Sequence, residues 1–270
     1  MSQKINNRHY QFDAWLRKAN KCRSFMSGEE VVKDEKTKFL PRLSGQTTTE
    51  YNAMLDRTLF YGASKRTKMA LSGAVNRKHP VVTMDSQYED YLKDIALQEI
   101  PFNVFAKQAT DEVLTTGRFV VCIDWDEGLQ RPYARSYPGE SLINFRYANY
   151  YGRQILSLVV LEETKEIESD ADPFTIELLT CYRVKALIDG VYTEQVWVAK
   201  DKKANDFVLV EEYVPTRNGK ALDFIPVVVL NTSQLGCEFE ESMLNDLVSV
   251  NIQHYITSAD IGTVLHFSAL

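Results

Sequence analysis

The spacing of apolar residues changes at Gly117, and this change constrains the fold more than any other feature of the sequence. Before it, over 102–113, apolar residues recur at helical spacing. After it, short apolar runs alternate with polar turns, which is typical of strands. Glycine also favours the left-handed conformation in which many helices end. The sequence therefore predicts three parts: a helical part at 1–117, a β-rich part at 118–235 and a final helix at 240–270.

Two candidate capping boxes mark helix starts in the first part. In such a box, a hydroxyl and a carboxylate three residues apart satisfy each other's free backbone donors. Thr47 with Glu50 forms the first box, and Ser86 with Glu89 forms the second. The first box predicts a helix over 48–62.

Apolar spacing and proline predict the other helices of this part. Trp15 and Ala19 lie on the apolar face of an amphipathic segment. The polar stretch that follows, 28–38, is predicted to be a loop. Pro101 is well placed at the first turn of a helix that ends at Gly117.

Alternation of apolar and polar residues defines the strands of the second part. Its clearest hairpin turns at Asp189 and Gly190, a pair that suits a tight two-residue turn. Strands are predicted at 118–124, 131–137, 141–147, 154–162, 176–188, 191–199, 207–211 and 224–230. The strongly acidic stretch 162–172 is predicted to be a loop. The predicted fold class is α+β, with N-terminal helices, a mostly antiparallel central sheet region and a C-terminal helix.

The net charge, the cysteine positions and the lengths of the apolar runs argue against some classes of protein. A net charge of −6 argues against a protein that grips nucleic acid through a generally basic surface. Cys22, Cys122, Cys181 and Cys237 include no close pair, which predicts free thiols in a reducing compartment. No apolar run is long enough to cross a bilayer, so no membrane partner is expected. The chain stops inside an apolar pattern, from which we expect it to be part of a longer protein.

Three neighbouring carboxylates are the best candidates for catalysis. Asp124, Asp126 and Glu127 could form a metal site or an acid–base pair. Gly128 ends the strand at this point, however, and Asp and Gly are common turn residues. We therefore interpret the group as a solvated turn.

Neither histidines nor glycine loops indicate a cofactor. His9, His79, His254 and His266 are scattered, without the spacing of metal ligands. The glycine motifs that cradle phosphates are absent from the sequence. We predict no enzyme activity, no metal and no cofactor.

Two sets of residues are candidates for contacts with other molecules. Five basic side chains could meet phosphate, although we interpret them as solvated helix surface: Lys65, Arg66, Lys68, Arg77 and Lys78. The predicted last helix has a broad apolar face, expected to pack within the subunit or between subunits. Its members are Leu244, Leu247, Val248, Ile252, Tyr255 and Ile256.

Several short segments form an ordered set along the chain. In the first part they are 39–41, 50–57, 60–61, 66–67, 73 and 77–78. Later they are TGRFVVCID at 116–124, 131–133, 137, ESLINFR at 140–146, VVLEE at 159–163, 182–184, 196–197, 225–226, NIQHY at 251–255, 258–260 and 265–266. In this order they resemble the phage portal protein family, in particular a branch described only as a portal domain of unknown function. The likeness covers about 39 to 268, and the sequence departs from the family's pattern at 74–76 and over 1–38.

The resemblance implies a subunit of a ring, generally of twelve copies, at the unique vertex of a phage capsid. Double-stranded DNA would pass through the ring during packaging and ejection. The implied partners are the terminase large subunit, the major capsid or scaffolding protein, and head-completion or adaptor proteins. The implied location is the virion, after synthesis in the host cytoplasm.

The resemblance also implies where each of the three predicted parts would lie in a portal subunit. The parts at 1–117 and 118–235 would form the helical and β-rich regions of the portal wing. The helix at 240–270 would belong to the wing-to-stem region and lead toward the stem. Its six apolar residues would then be candidates for ring contacts.

Two alternatives stay open beside the portal interpretation. Another phage head or connector protein could share the α+β build, but it would not recruit terminase. A metal-dependent hydrolase would use Asp124, Asp126 and Glu127.

Overall fold

The computed structural model describes residues 4–150, 152–169, 172–200 and 206–268. Over these ranges helices precede a set of antiparallel sheets, and a long helix follows them, so the predicted α+β class is confirmed. The helices are α1 (Phe12–Ser27), α2 (Glu29–Asp34), α3 (Thr48–Arg57), α4 (Ala63–Val75), α5 (Glu89–Lys93), α6 (Phe102–Thr116) and α7 (Asn245–Ser268).

The chain divides into two compact units, which we call the β unit and the helical unit. The β unit contains the residues up to Ala14, Val120–Val229 and Leu235–Cys237. The helical unit contains Trp15–Phe119, Leu230–Gln234 and the residues from Glu238 onward. The predicted last helix and most of the predicted first part therefore belong to the same unit.

The first capping box forms and the second does not. Thr47 N donates to Glu50 Oε2 at 2.7 Å, while Glu50 N donates to Thr47 Oγ1 at 3.3 Å. The helix begun there, α3, ends at Arg57, earlier than predicted. At Ser86 the chain instead makes one turn of 3-10 helix without a side-chain cap, so the predicted second box is wrong.

The predicted loop over 28–38 is also wrong, because α2 lies within it. Acidic residues favour the first turn of a helix, and Lys33 pairs with Glu29 one turn away at 2.9 Å. Val32 is completely buried in the core of the helical unit. A short polar stretch thus becomes helical because tertiary packing covers its one apolar face.

The strands form one three-stranded sheet, one five-stranded sheet and a small two-stranded ribbon. They are β1 (Arg118–Asp126), β2 (Arg131–Pro138), β3 (Leu142–Tyr150), β4 (Arg153–Ser169), β5 (Asp172–Ile188), β6 (Val191–Ala199), β7 (Phe207–Tyr213), β8 (Thr216–Arg217), β9 (Lys220–Ala221) and β10 (Val227–Asn231). Their orders are β10-β1-β2, β3-β4-β5-β6-β7 and β8-β9.

The hairpin predicted at Asp189 and Gly190 is confirmed. Both residues have positive φ, 51° and 79°, as this tight turn requires. The register on either side pairs Ile188 with Val191 and continues to Cys181 opposite Val198. This hairpin forms the centre of the five-stranded sheet.

The acidic stretch predicted as a loop is wrong over its described residues, because it belongs to β4 and β5. Glu166 lies opposite Leu178, and Glu168 lies opposite Ile176. Carboxylates that face apolar partners, rather than one another, avoid the cross-strand repulsion of like charges. The tip of the predicted loop, at 170–171, lies outside the described residues.

Each unit has its own apolar core. The core of the β unit contains Val120, Cys122, Tyr137, Leu142, Val159, Leu161, Tyr192, Ile225, Val229 and Cys237. The core of the helical unit contains Cys22, Phe25, Met26, Val32, Phe39, Leu40, Tyr51, Met54, Leu55, Leu244, Val248, Tyr255 and Ala259. Residues of α1, α3 and α7 therefore share one core.

Gly117 ends α6 in the left-handed conformation, as predicted, with φ of 89°. Its N–H donates to the Val113 carbonyl at 2.9 Å, which closes the last turn. A side chain here would also collide with the backbone, since a Cβ would lie 2.4 Å from the Glu240 carbonyl oxygen. Only glycine meets both demands.

Replacing Gly117 with alanine should therefore be strongly destabilising. We expect Gly117→Ala to lower the free energy of unfolding by at least about 3 kcal/mol, because backbone must move to relieve the collision. The control is Gly190→Ala, where φ is 79° and nothing lies within 4 Å of an added Cβ, so the loss should be about 1 kcal/mol. Urea denaturation measures both, and equal losses would contradict the close-contact explanation.

Candidate functional site

Charged side chains converge at one place in the β unit. Alternate residues of a strand share a face, so Arg183 and Lys185 of β5 point the same way. The sheet register places Lys185 directly opposite Glu194 of β6. We call the whole group the ionic network; it comprises Asp124, Arg135, Glu163, Arg183, Lys185 and Glu194.

Lys185 is the centre of the ionic network. Its Nζ donates to Glu194 Oε2 at 2.6 Å and to Asp124 Oδ1 at 2.9 Å. The Tyr192 hydroxyl accepts from the same Nζ at 3.1 Å and donates to Glu194 Oε2 at 2.5 Å. The side chains of Lys185 and Glu194 are 0% and 1% exposed. The lysine thus joins the three-stranded sheet to the five-stranded sheet away from water.

Arg183 extends the ionic network along β5. Its Nη1 donates to Glu194 Oε1 at 2.5 Å, and its Nε donates to Glu163 Oε1 at 2.8 Å. The Tyr137 hydroxyl of β2 donates to the same Glu163 oxygen at 2.6 Å. Glu163 therefore accepts a hydrogen bond from each of the two sheets.

The surroundings keep the carboxylates of the ionic network ionised. Burial opposes the charge of Glu194, but the charge of Lys185 and hydrogen bonds from Lys185, Tyr192 and Arg183 outweigh it, lowering its pKa to about 2. Burial likewise opposes the charge of Glu163, yet Arg183 lowers the pKa of that carboxyl below its usual value. Burial also disfavours the charged form of Lys185, while Asp124 and Glu194 raise its pKa.

The ionic network is arranged for structure rather than for proton transfer. It contains three cations and three carboxylates, so its charges balance. A general acid or base works best with a pKa near the operating pH, whereas Glu194 is held far below that range. The arrangement can fix the two sheets in register.

The structure does not bring the three candidate catalytic carboxylates together. Asp124 pairs with Lys185, and Asp126 Oδ1 accepts from the Leu129 N–H at 2.7 Å, as expected of a turn residue. The Glu127 carbonyl accepts from the side chain of Gln130 at 2.6 Å. Across the described ranges, no group of three or more His, Cys, Asp or Glu residues is placed to hold a metal ion.

Sequence reasoning missed Lys185 and Glu194, although a signal for them existed. Counting outward from the turn at Asp189 and Gly190 places Lys185 opposite Glu194. Opposite charges at directly facing positions are a recognisable cross-strand pair. The partner on β1, Asp124, is 61 residues from Lys185 and has no such local signal.

The structure places the six apolar residues of the predicted last helix against their own chain. Leu244, Val248 and Tyr255 are buried in the core of the helical unit. Leu247, Ile252 and Ile256 are partly buried against the same core.

A buried amide fixes α7 against the helical unit. Asn251 accepts from the N–H and hydroxyl of Ser64, each at 3.1 Å, and donates to the Tyr61 carbonyl at 2.8 Å. Asn251 belongs to the NIQHY segment of the sequence. The segment therefore has a structural role that apolar spacing alone does not reveal.

The predicted free thiols are confirmed, since all four cysteines are free and buried. Burial raises the pKa of Cys22 to about 11 and that of Cys122 to about 12. At neutral pH these thiols are therefore protonated and weakly reactive.

Several of the candidate histidines and basic residues have contacts of their own. His9 stacks on Phe145, and the ring of His254 lies 6.0 Å from that of Tyr61. Lys65 donates to the Ser27 carbonyl at 2.8 Å. The remaining candidates include exposed side chains at Arg66, Arg77 and Lys78, as expected of a solvated surface.

The longest hairpin extends beyond the sheet that contains it. Strand β3 pairs with β4 as far as Leu161, and β6 pairs with β5 from Cys181. Past these points, in the described part of the chain, β4 and β5 pair only with each other. We call this two-stranded extension, residues 162–169 with 172–180, the arm. Ile176 and Leu178 on one face of the arm are 58% and 56% exposed.

The helical unit has an apolar extension of its own. Helix α7 is buried at Tyr255 and Ala259, but Ile261, Val264 and Leu265 are exposed. Its last turns therefore present apolar side chains that the described chain leaves in solvent.

An open hollow in the helical unit offers no catalytic arrangement among its lining residues. Its wall is largely apolar and includes Val82, Met84, Leu92 and Pro101. The charged residues in this lining are Glu89 and Lys93, both on α5 at the spacing of an ordinary helix-surface pair.

No family model matches the chain, and no curated protein matches its sequence. Among the helices of the described residues, none combines the length and the apolar character that crossing a membrane requires.

Removing the central lysine should destabilise the β unit. Lys185→Met keeps an unbranched side chain but leaves Glu194 and Asp124 without their shared cation. We expect a loss of about 3–5 kcal/mol in the free energy of unfolding, measured by urea denaturation. The matched control is Lys200→Met, which removes an ion pair with Asp206. The two side chains of that pair are 54% and 65% exposed, so the free energy of unfolding should fall by less than about 1 kcal/mol. Similar losses in both variants would contradict a central role for Lys185.

The lowered pKa of Glu194 predicts how stability depends on pH. A carboxyl with a lowered folded-state pKa stabilises the fold above its unfolded value, 4.5, and that contribution disappears as pH falls toward about 2. This lowering of the Glu194 pKa corresponds to a contribution of roughly 3 kcal/mol to the free energy of unfolding. Urea midpoints between pH 7 and pH 2 should fall more steeply for the natural protein than for Glu194→Gln. Parallel curves for the two proteins would refute this assignment.

Proposed function

We propose that the chain is a subunit of a phage portal ring at the unique vertex of a capsid, through which double-stranded DNA is packaged and ejected. The observation that carries the proposal is that each unit extends an exposed apolar element: the arm in the β unit and the last turns of α7 in the helical unit. Large exposed apolar surfaces on soluble proteins mark contacts with other molecules. A subunit with two such elements is suited to assembly.

A ring explains why the extensions differ from each other. Contacts between unlike surfaces of identical subunits close into a ring when the rotation between neighbours allows it. The arm is a β ribbon with acidic side chains, whereas the end of α7 is a single helix. Unlike surfaces of this kind favour head-to-tail contacts over a symmetric dimer.

The ordered resemblance supports the proposal because its segments fall on structurally defined positions. The segment at 116–124 spans the end of α6, the left-handed Gly117 and most of β1. The segment at 251–255 contains Asn251, which holds α7, and the buried Tyr255. These positions have specific packing or hydrogen-bonding roles, so their residues are constrained.

A role without catalysis agrees with the state of the charged residues. The ionic network is internally paired, and Asp124, Asp126 and Glu127 do not converge. The hydrolase alternative therefore has no geometric support at the carboxylates it would use. We propose that the protein works through its shape and its self-association.

The charge of the chain suits a conduit for DNA. Binding many phosphates through basic residues gives tight, salt-dependent association, which would retard a moving duplex. A net charge of −6 favours passage over retention. We further propose that the ring contacts the terminase large subunit, the major capsid or scaffolding protein and head-completion proteins, as part of the virion.

The purified full-length protein should form closed rings with a central hole, about twelve subunits around. Sedimentation velocity gives the oligomeric mass, and negative-stain images give the hole. Val264→Asp, in the last turns of α7, should shift protein from rings to smaller species, because it places a charge on an exposed apolar surface. Val214→Asp, also exposed, is the control and should leave the distribution unchanged. Single subunits at all micromolar concentrations would overturn the proposal.

Capture of terminase separates the portal from another head or connector protein. The immobilised ring should retain the large terminase subunit of the same phage from an infected-cell extract. Rings that fail to retain it would favour the connector alternative.

A further inference from the structure

The arm is unusual because its backbone and its apolar side chains are exposed together. Beyond Leu161 and Cys181 its two strands pair only with each other in the described residues. An isolated two-stranded hairpin is at best marginally stable in water. Unpaired edges that carry apolar residues are also rare on soluble proteins, because they attract other chains. The arm therefore has the properties of a segment that another molecule covers.

One face of the arm combines an apolar row with an acidic row. Ile176 and Leu178 alternate along β5, and Glu166 lies opposite Leu178 on β4. Glu162 is on the same face, four residues from Glu166. The two segments of the arm, 162–169 and 172–180, contain six acidic residues and one lysine. A partner should therefore offer an apolar surface beside positive charge.

The outward side of α4 has this complementary character. No acidic residue lies between Asp56 and Asp85, a stretch that contains six lysines and arginines. Arg66 lies in α4, and Arg77 follows the last residue of that helix, Val75, by two positions. Both are exposed, and Met69 between them is 62% exposed. We call the surface formed by Arg66, Met69 and Arg77 the α4 surface.

We propose that the arm of one subunit docks on the α4 surface of a second copy of this chain. The inference rests on the proposed ring and names the contact that joins neighbouring subunits. Leu178 covers Met69, while Glu162 and Glu166 face Arg77 and Arg66.

Charge excludes the simplest alternative, in which two arms pair with each other. Two arms side by side would bring together acidic strands of the same sign, which is unfavourable at directly facing positions. The arm and the α4 surface are opposite in charge, and opposite charges also steer association. The contact is thus head-to-tail, as ring closure requires.

The spacing of charges on the two surfaces agrees with this contact. Glu162 and Glu166 are about 13 Å apart along an extended strand. Arg66 is separated from the end of α4 at Val75 by a helical rise of about 14 Å, and Arg77 follows two residues later. Long arginine side chains bridge the difference. Arg66 also stacks on the Tyr61 ring at 5.2 Å, which orients its guanidinium at this surface.

Cross-linking of co-expressed variants tests the contact directly. One variant carries Leu178→Cys on the arm, and the other carries Met69→Cys on α4. The four natural cysteines are buried and give little background with a short bismaleimide reagent. We expect a covalent dimer from the mixture and none from either variant alone. The control mixture replaces Leu178→Cys with Leu129→Cys, a similarly exposed position in the β unit that should give no dimer.

Each cross-linking result supports or overturns the inference. A dimer from Leu178→Cys alone would mean arm-to-arm pairing and would overturn it. Rings that form without the mixed cross-link would overturn it too, yet leave the proposed portal function standing. A protein that neither forms rings nor cross-links would overturn both.

A charge exchange tests the electrostatic part independently. Glu166→Arg and Arg66→Glu should each raise the concentration at which the ring half-dissociates by about tenfold. Combining both changes in one chain should restore association, because the side chains at 166 and 66 again carry opposite charges. Circular dichroism should show that the single variants remain folded. Failure of the combined variant to recover, with its fold intact, would overturn the pairing.

Discussion

The β unit depends on a buried lysine that is held by carboxylates from two sheets. Removing a charge from water costs several kcal/mol unless close partners compensate for it, and Lys185 has such partners in Glu194 and Asp124. These contacts allow one arrangement of the sheets. A shift of the strand pairing by one residue would turn side chains such as Lys185 to the opposite face of the sheet. The ionic network therefore selects the register as well as contributing to stability.

Parts of the fold follow from signals within a few residues. The Thr47–Glu50 box, the end of a helix at Gly117 and the turn at Asp189 are local, and the structure contains each of them. The failures share a different cause. Segments 28–38 and 162–172 are polar in composition, yet α2 buries Val32 and the acidic strand residues gain apolar partners across the hairpin. Polarity indicates exposure, and an exposed segment can still be a helix or a strand.

The candidate site was less accessible to sequence reasoning, because its contacts are distant along the chain. Asp124 looks like the first residue of an acidic turn until Lys185 is placed beside it. Helical spacing correctly marks one side of α7 as apolar, but it cannot say whether the chain itself or a neighbour covers that side. Leu244, Val248 and Tyr255 meet their own helical unit. Ile176 and Leu178, which remain exposed on the arm, lie in the predicted strand at 176–188, but alternation alone does not show whether another element covers them.

The arm also has a mechanical consequence. In the described residues, strand pairing over 164–169 and 172–180 joins only these two segments to each other, and the ionic network reaches the arm only at Glu163, near its base. The outer part of the arm can therefore open without disturbing the centre of that network. Local opening of this kind requires much less free energy than unfolding the whole unit. A ring held together by such arms would deform at the contacts between subunits while the subunits themselves stayed rigid. In the proposed portal ring, such deformable contacts would let the assembly change shape under load and then return to its original form.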